Sequence, residues 1–133
     1  MRELEDGMFV AGQIAPEDVP GLAGRGIAMI VNNRPDGEAP DQPEAADIAA
    51  AAETAGIAYR SIPVAQLTPE AIEAMRDALA EAEGPVLAFC RSGTRSTYLW
   101  ALARSLQGAE GDRLVERAAE AGYDLTPIRR FLR

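Results

Sequence analysis

Short apolar runs of strand length recur along the chain. Four of them are bounded by glycine, proline or other turn-forming residues, as expected for buried strands. They cover residues 7–14, 27–33, 56–64 and 85–90. Several consist almost entirely of apolar residues rather than alternating with polar ones, which favours strands covered on both faces of a sheet.

Segments with helical signals separate these predicted strands. The clearest covers residues 67–84. Thr68 is its predicted N-cap, Pro69 its first helical residue and Gly84 its terminator. The other predicted helices cover 15–26, 43–55, 94–106, 111–124 and 125–133. Because strands and helices alternate, we predict an α/β fold with a mostly parallel central sheet flanked by helices, in one domain spanning residues 1–133.

Composition and charge narrow the possible functions. Apolar residues make up 47% of the chain and charged residues 26%, which is typical of a globular domain. The net charge is −8, and all 13 basic residues are arginine, so we expect no nucleic-acid or membrane partner. The acidic N-terminal segment lacks the apolar core of a signal peptide, which favours a cytoplasmic location.

Cys90 is the only cysteine, and the chain contains no histidine. An internal disulfide is therefore impossible, and we expect no metal site and no cofactor. The same absence of histidine excludes a Cys–His or Ser–His pair. If Cys90 is a nucleophile, its surroundings must activate it in another way.

The segment "RSGTR" follows Cys90 and leads directly into a predicted helix. Backbone N–H groups of such a loop, with the positive end of the helix dipole, form a cradle for anions and favour the reactive thiolate. We therefore predict Cys90 and Arg95 as catalytic residues. The predicted substrate-binding residues are Arg91, Ser92, Gly93, Thr94 and Ser96, together with Arg34 from the loop after the second predicted strand.

The segment "CRSGTRS" resembles the active-site loop of single-domain rhodaneses. It also resembles the C-x-x-G-x-x-R-S loop of protein tyrosine and dual-specificity phosphatases, shortened by one residue. With "FVAGQI", "GIAMIVNNRPDGE" and "AGYDL", it is similar to the bacterial phosphatase-like domain at the N-terminus of beta-lactamase hydrolase-like proteins. The resemblance implies a dual-specificity-phosphatase-like fold. It leaves the reaction open, because this family is described both as phosphatases and as sulfur transferases.

Two features favour sulfur transfer over phosphate-ester hydrolysis. Four residues separate Cys90 from Arg95, one fewer than in the phosphatase motif, which predicts a cradle too tight for three phosphoryl oxygens. After "SIPV", where related phosphatases carry an aspartate general acid, this chain has Ala65 and Gln66. The expulsion of sulfite from thiosulfate needs no such acid.

The preferred prediction is a rhodanese-like sulfurtransferase. Sulfane sulfur would pass from thiosulfate or a persulfide through a Cys90 persulfide to an external thiol acceptor or cyanide. One alternative is a cysteine-dependent phosphatase with a phospho-Cys90 intermediate, for which Asp36 or Glu38 in the "NNRPDGE" loop is a possible acid. A second alternative is a non-catalytic anion-binding module. All three imply a small anionic ligand such as thiosulfate, a persulfide or a phosphate ester.

Overall fold

A computed structural model describes all residues from 1 to 133. The strands are β1 (Arg2–Glu5), β2 (Met8–Ala11), β3 (Met29–Asn32), β4 (Ala58–Ser61) and β5 (Val86–Phe89). They form one sheet in the order β1-β2-β5-β3-β4. The pairs β2–β5, β5–β3 and β3–β4 are parallel, and only β1 is antiparallel to its neighbour. The predicted α/β class with a mostly parallel sheet is confirmed.

Helices cover both faces of this sheet. They are α1 (Val19–Gly24), α2 (Ala45–Ala55), α3 (Pro69–Glu81), α4 (Thr94–Leu106) and α5 (Gly111–Glu120), with short 3-10 helices at Pro16–Asp18 and Thr126–Phe131. The last of these was predicted as a longer helix. None of the helices is long and apolar enough to cross a membrane.

The edge strand β1 was not predicted, because "RELE" contains a single apolar residue. Leu4 is nevertheless buried in the core. The carboxylate of Glu5 accepts hydrogen bonds from Trp100 Nε1 at 2.7 Å and from Arg104 Nε at 2.9 Å. These contacts with α4 fix the strand at the edge of the sheet.

The central strand β5 is buried on both faces. Val86 and Ala88 belong to the core formed with α3, α4 and α5. Leu87 and Phe89 belong to the second core, formed with α1 and α2. This two-sided burial explains the continuous apolar run before Cys90.

Four parallel strands end at the same edge of the sheet. Gly12 follows β2, Asn33 follows β3, Ile62 follows β4 and Cys90 follows β5. In sheets of this kind, ligands bind beyond the carboxyl ends of the strands. The topology therefore brings the loops that carry the predicted site residues to one edge.

Candidate active site

Cys90 lies between the end of β5 and the start of α4, with no exposed surface. Its Sγ accepts a hydrogen bond from the backbone N–H of Gly93 at 3.1 Å. The N–H group of Gly93 and the positive end of the α4 dipole both lie on the side of the sulfur. The structure thus brings Cys90, the predicted nucleophile, to a site suited to an anionic sulfur.

Two glycines permit this backbone arrangement. Gly93 has a φ of +91°, a conformation that favours glycine, and a Cβ atom there would overlap the hydroxyl of Tyr123. Gly12 lies against the loop from the β2 side, where an added Cβ would be 3.0 Å from the carbonyl oxygen of Arg91. A side chain at Gly93 would therefore strain the loop, and one at Gly12 would press on its backbone.

The remaining loop residues lie nearer the surface. Arg91 and Ser92 are exposed, and Thr94 is half-buried. The Ser92 hydroxyl donates to Thr94 Oγ1 at 3.1 Å. Their substrate-binding roles remain predictions from the loop sequence.

Arg95 lies in the first turn of α4, and most of its hydrogen bonds go to one carboxylate. Its Nη1 donates to Glu38 Oε2 at 2.8 Å and to the carbonyl oxygen of Val64 at 2.8 Å. Its Nη2 donates to Glu38 Oε1 at 2.8 Å. The bond to Glu38 raises the pKa of Arg95, burial opposes this, and the neighbouring Cys90 sulfur raises the pKa further. The guanidinium therefore lies beside the thiol in a fixed orientation.

These contacts leave one edge of the Arg95 guanidinium free of oxygen partners, with the Cys90 sulfur as a further neighbour. A guanidinium has five N–H donors, and Glu38 and Val64 take three of them. The other two, Nε–H and the outer Nη2–H, point in the same direction from one edge. Such a parallel pair matches two oxygens of a phosphoryl, sulfonate or carboxylate group.

Glu38 is held by a second arginine as well. Arg34 Nε donates to Glu38 Oε1 at 3.0 Å, and Arg34 Nη1 donates to Gln13 Oε1 at 2.9 Å. The hydrogen bond from Arg95 lowers the pKa of Glu38 from 4.5 to about 2; burial opposes the shift and Arg34 adds to it. Glu38 is therefore ionised at neutral pH and does not carry a proton for a leaving group. Arg34, predicted to bind substrate, is 6% exposed and pairs with this carboxylate.

Asp36, the other carboxylate predicted as a possible acid, contacts the start of α2 instead of Arg95. Its Oδ1 accepts a hydrogen bond from the backbone N–H of Ala45 at 2.8 Å, at the start of α2. Asp36 therefore stabilises a helix N-terminus, and the carboxylate on Arg95 is Glu38.

Ser96, a predicted substrate-binding residue, bonds to the loop after β3. It has no exposed surface, and its hydroxyl donates to Asn33 Oδ1 at 2.8 Å. The side-chain Nδ2 of Asn33 donates to the carbonyl oxygen of Ile62 at 2.9 Å. The backbone N–H of Asn33 donates to the carbonyl oxygen of Phe89, also at 2.9 Å. Asn33 thus joins α4 to the ends of three strands. Sequence reasoning missed this role, although a polar residue directly after an apolar strand is a signal for it.

The amino-acid sequence is similar to one protein family and to its members. The model for the phosphatase-like domain of beta-lactamase hydrolase-like protein matches residues 1–107. A beta-lactamase hydrolase-like protein from Agrobacterium fabrum is 38% identical over 132 residues, which cover 97% of this chain. The chain spans only 31% of that relative's length.

The fold is also similar to solved structures of phosphatases. The crystal structure of a proposed phosphatase from Neisseria meningitidis has a TM-score of 0.83 and 34% identity, covering 97% of this chain and 93% of that one. The core catalytic domain of the PP-IP phosphatase SIW14 from S. cerevisiae has a TM-score of 0.65 and 15% identity, covering 96% and 87%. The second likeness shows the fold alone. The expected fold, that of dual-specificity and protein tyrosine phosphatases, is confirmed.

The buried hydrogen bonds of the Asn33 side chain predict that its removal destabilises the fold. Asn33→Ala leaves the Ser96 hydroxyl and the Ile62 carbonyl without partners, which costs about 1–3 kcal/mol of unfolding free energy. Urea unfolding followed by circular dichroism measures this loss. Gln66→Ala, in an exposed loop, is the control and changes stability by less than about 0.5 kcal/mol. Equal effects of the two substitutions would contradict the network.

The depressed pKa of Glu38 predicts a loss of stability in acid. Its ionised form is stabilised in the folded state, so its contribution is complete above pH 4.5 and is lost as the pH falls towards about 2. Glu38→Gln removes this contribution, and the unfolding free energy of the variant depends less on pH in that range. Asp77→Asn, on the exposed face of α3, is the control and keeps the wild-type slope. A wild-type slope in Glu38→Gln would show that the ion pair is not formed.

Proposed function

The chain belongs to the family of phosphatase-like domains of beta-lactamase hydrolase-like proteins, and from this premise we propose that it is a cysteine-dependent phosphatase for small phosphate monoesters. Cys90 is the nucleophile in this proposal. Backbone N–H groups of residues 91–95 and the Arg95 guanidinium bind the phosphoryl oxygens. Neither a metal nor a cofactor takes part.

The free edge of Arg95 is the observation that carries this proposal. Glu38 and Val64 use three N–H groups and hold the guanidinium, while two parallel donors remain beside Cys90. Two oxygens of a phosphoryl group match such a pair, as do two oxygens of thiosulfate, so this edge supports the binding of a tetrahedral oxyanion. The family and its phosphatase relatives favour a phosphate ester as that anion. The short spacing between Cys90 and Arg95, which favoured sulfur transfer, does not by itself remove this bidentate site.

The proposed reaction has two displacement steps. The Cys90 thiolate attacks phosphorus, the S–P bond forms, and the bond to the leaving oxygen breaks with its electron pair. Water then attacks the phospho-cysteine, the S–P bond breaks, and inorganic phosphate and the thiolate are released. Arg95 and the loop N–H groups stabilise the negative charge on the phosphoryl oxygens in both steps.

In this proposal no side chain protonates the leaving group in the first step. Glu38 is ionised, Asp36 caps α2, and the segment after β4 contains Ala65 and Gln66. The leaving group must therefore depart as an anion that is stable in water. We accordingly propose aryl phosphates, including phosphotyrosine, as better substrates than alkyl phosphates such as phosphoserine.

A series of aryl phosphates with leaving groups of increasing pKa tests this proposal. We expect kcat/KM to fall steeply along the series, since no acid protonates the departing oxygen, and Cys90→Ser to be inactive. Arg95→Lys keeps the charge but loses the paired donors, so its kcat/KM is about 10²–10³-fold lower. Arg76→Lys, exposed on α3, is the matched control and keeps wild-type activity.

Two results would contradict the proposal. If no aryl phosphate is hydrolysed faster than by Cys90→Ser, the chain is not a phosphatase of this kind, and phosphate binding without turnover would favour an anion-binding module. If kcat/KM is independent of the leaving group, a proton donor acts in the first step and the acid-free mechanism is wrong.

Sulfur transfer remains a second candidate, favoured by the missing proton donor. In this reaction the Cys90 thiolate attacks the outer sulfur of thiosulfate, sulfite leaves, and an external thiol later removes the sulfur. Intact-mass measurement after brief exposure to thiosulfate distinguishes the two functions. A gain of one sulfur atom that a thiol reverses and that Cys90→Ser lacks would support sulfur transfer, and an unchanged mass would exclude loading from this donor.

A further inference from the structure

Tyr123 lies over the Cys90 loop from outside the segment that carries the motif. It follows α5 and is half-buried against the core on the side of α4 and α5. Its hydroxyl donates to the carbonyl oxygen of Ser92 at 3.2 Å. Its backbone N–H donates to the carbonyl oxygen of Ala118 at 2.8 Å, which fixes the residue at the end of the helix.

The carbonyl group of Ser92 and the N–H group of Gly93 belong to one peptide unit. This peptide is trans, so its C=O and N–H bonds point in opposite directions. The N–H points at Cys90 Sγ, at 3.1 Å, while the oxygen points at the Tyr123 hydroxyl, at 3.2 Å. One side of the peptide therefore contacts the nucleophile and the other side contacts the tyrosine.

Glycine alone does not hold this peptide in place. Gly93 has a φ of +91°, and glycine adopts positive and negative φ about equally well. Rotation of the Ser92–Gly93 peptide would replace the N–H beside Cys90 with a carbonyl oxygen, which repels a thiolate. The hydroxyl of Tyr123 holds the Ser92 oxygen on the opposite side and opposes this rotation.

We propose that Tyr123 is a positioning residue, whose hydroxyl stabilises the Cys90 thiolate by fixing the orientation of the Ser92–Gly93 peptide. The hydroxyl bonds to the Ser92 carbonyl oxygen and not to the sulfur, so it acts through the peptide. This inference rests on the proposed function only in taking Cys90 as the reacting group, and it holds equally for sulfur transfer.

The protonation state of Tyr123 fits this role. Burial raises the pKa of its hydroxyl, the nearby Arg2 lowers it, and the Cys90 charge raises it again. The hydroxyl is therefore protonated at neutral pH and available as a donor. The Arg2 side chain itself donates to the carbonyl oxygen of Ala121 at 2.7 Å and supports the segment that carries Tyr123.

Other charged groups also act on the Cys90 thiolate. Arg95 approaches from α4, and its charge is shared with Glu38 and, through Glu38, with Arg34. Arg91 lies in the loop and is exposed. None of these groups changes in a Tyr123→Phe variant, so a shift in Cys90 titration in that variant reports the peptide orientation.

NMR with ¹³Cβ-labelled cysteine measures this directly, because the chain has a single cysteine and gives a single resonance. In Tyr123→Phe the ring and its packing remain, and we expect the midpoint of the Cys90 titration to move up, because the N–H group beside the sulfur is no longer held in place. The matched control is Tyr98→Phe, on α4 and half-buried, which leaves the midpoint unchanged. A midpoint in Tyr123→Phe equal to that of the wild type would overturn the proposal.

A second measurement on the wild-type protein is independent of whether the variant folds. The amide proton of Gly93 is bonded to the sulfur, so we expect its resonance to follow the titration of Cys90. If that resonance does not respond, the N–H does not face the thiolate and the proposal is wrong. Both titrations are made without substrate, so a negative result differs from an absence of phosphatase activity.

Discussion

The ion pair between Glu38 and Arg95 is the interaction on which the rest of the site depends. It joins the loop after β3 to the first turn of α4, and the bond from Arg95 to the Val64 carbonyl adds the segment after β4. Arg34 is almost fully buried and requires a nearby negative charge, which Glu38 supplies. One carboxylate therefore neutralises a buried arginine and orients a second one. What remains for an anionic ligand is the free edge of Arg95 beside the sulfur.

Much of this arrangement was predictable from local sequence. The apolar strand that ends at Cys90, the glycine three residues later and the following helix all agree with the structure, because each depends on neighbouring residues. The parallel sheet followed from the alternation of strands and helices. By contrast, β1 depends on long-range contacts of Glu5 with α4, which no local pattern reveals.

The side-chain partners within the site were less predictable. Asp36 and Glu38 are two residues apart in one polar loop, and only the path of the backbone decides which one contacts Arg95 and which one caps α2. The partner of Ser96 is Asn33, which is 63 residues away in the sequence. Tyr123 contacts the loop from beyond α5, so its role also required the tertiary structure.

The type of reaction was also not predictable from the sequence. The loop length and the missing acid favoured sulfur transfer, while the family and the fold support a phosphatase. Both features stay consistent with a phosphatase whose leaving group departs as an anion. The most direct measurement is the intact mass of the protein quenched in acid during turnover of an aryl phosphate. We expect one added phosphoryl group, located on Cys90 and absent from Cys90→Ser. Turnover without this adduct, or an adduct on another residue, would contradict it.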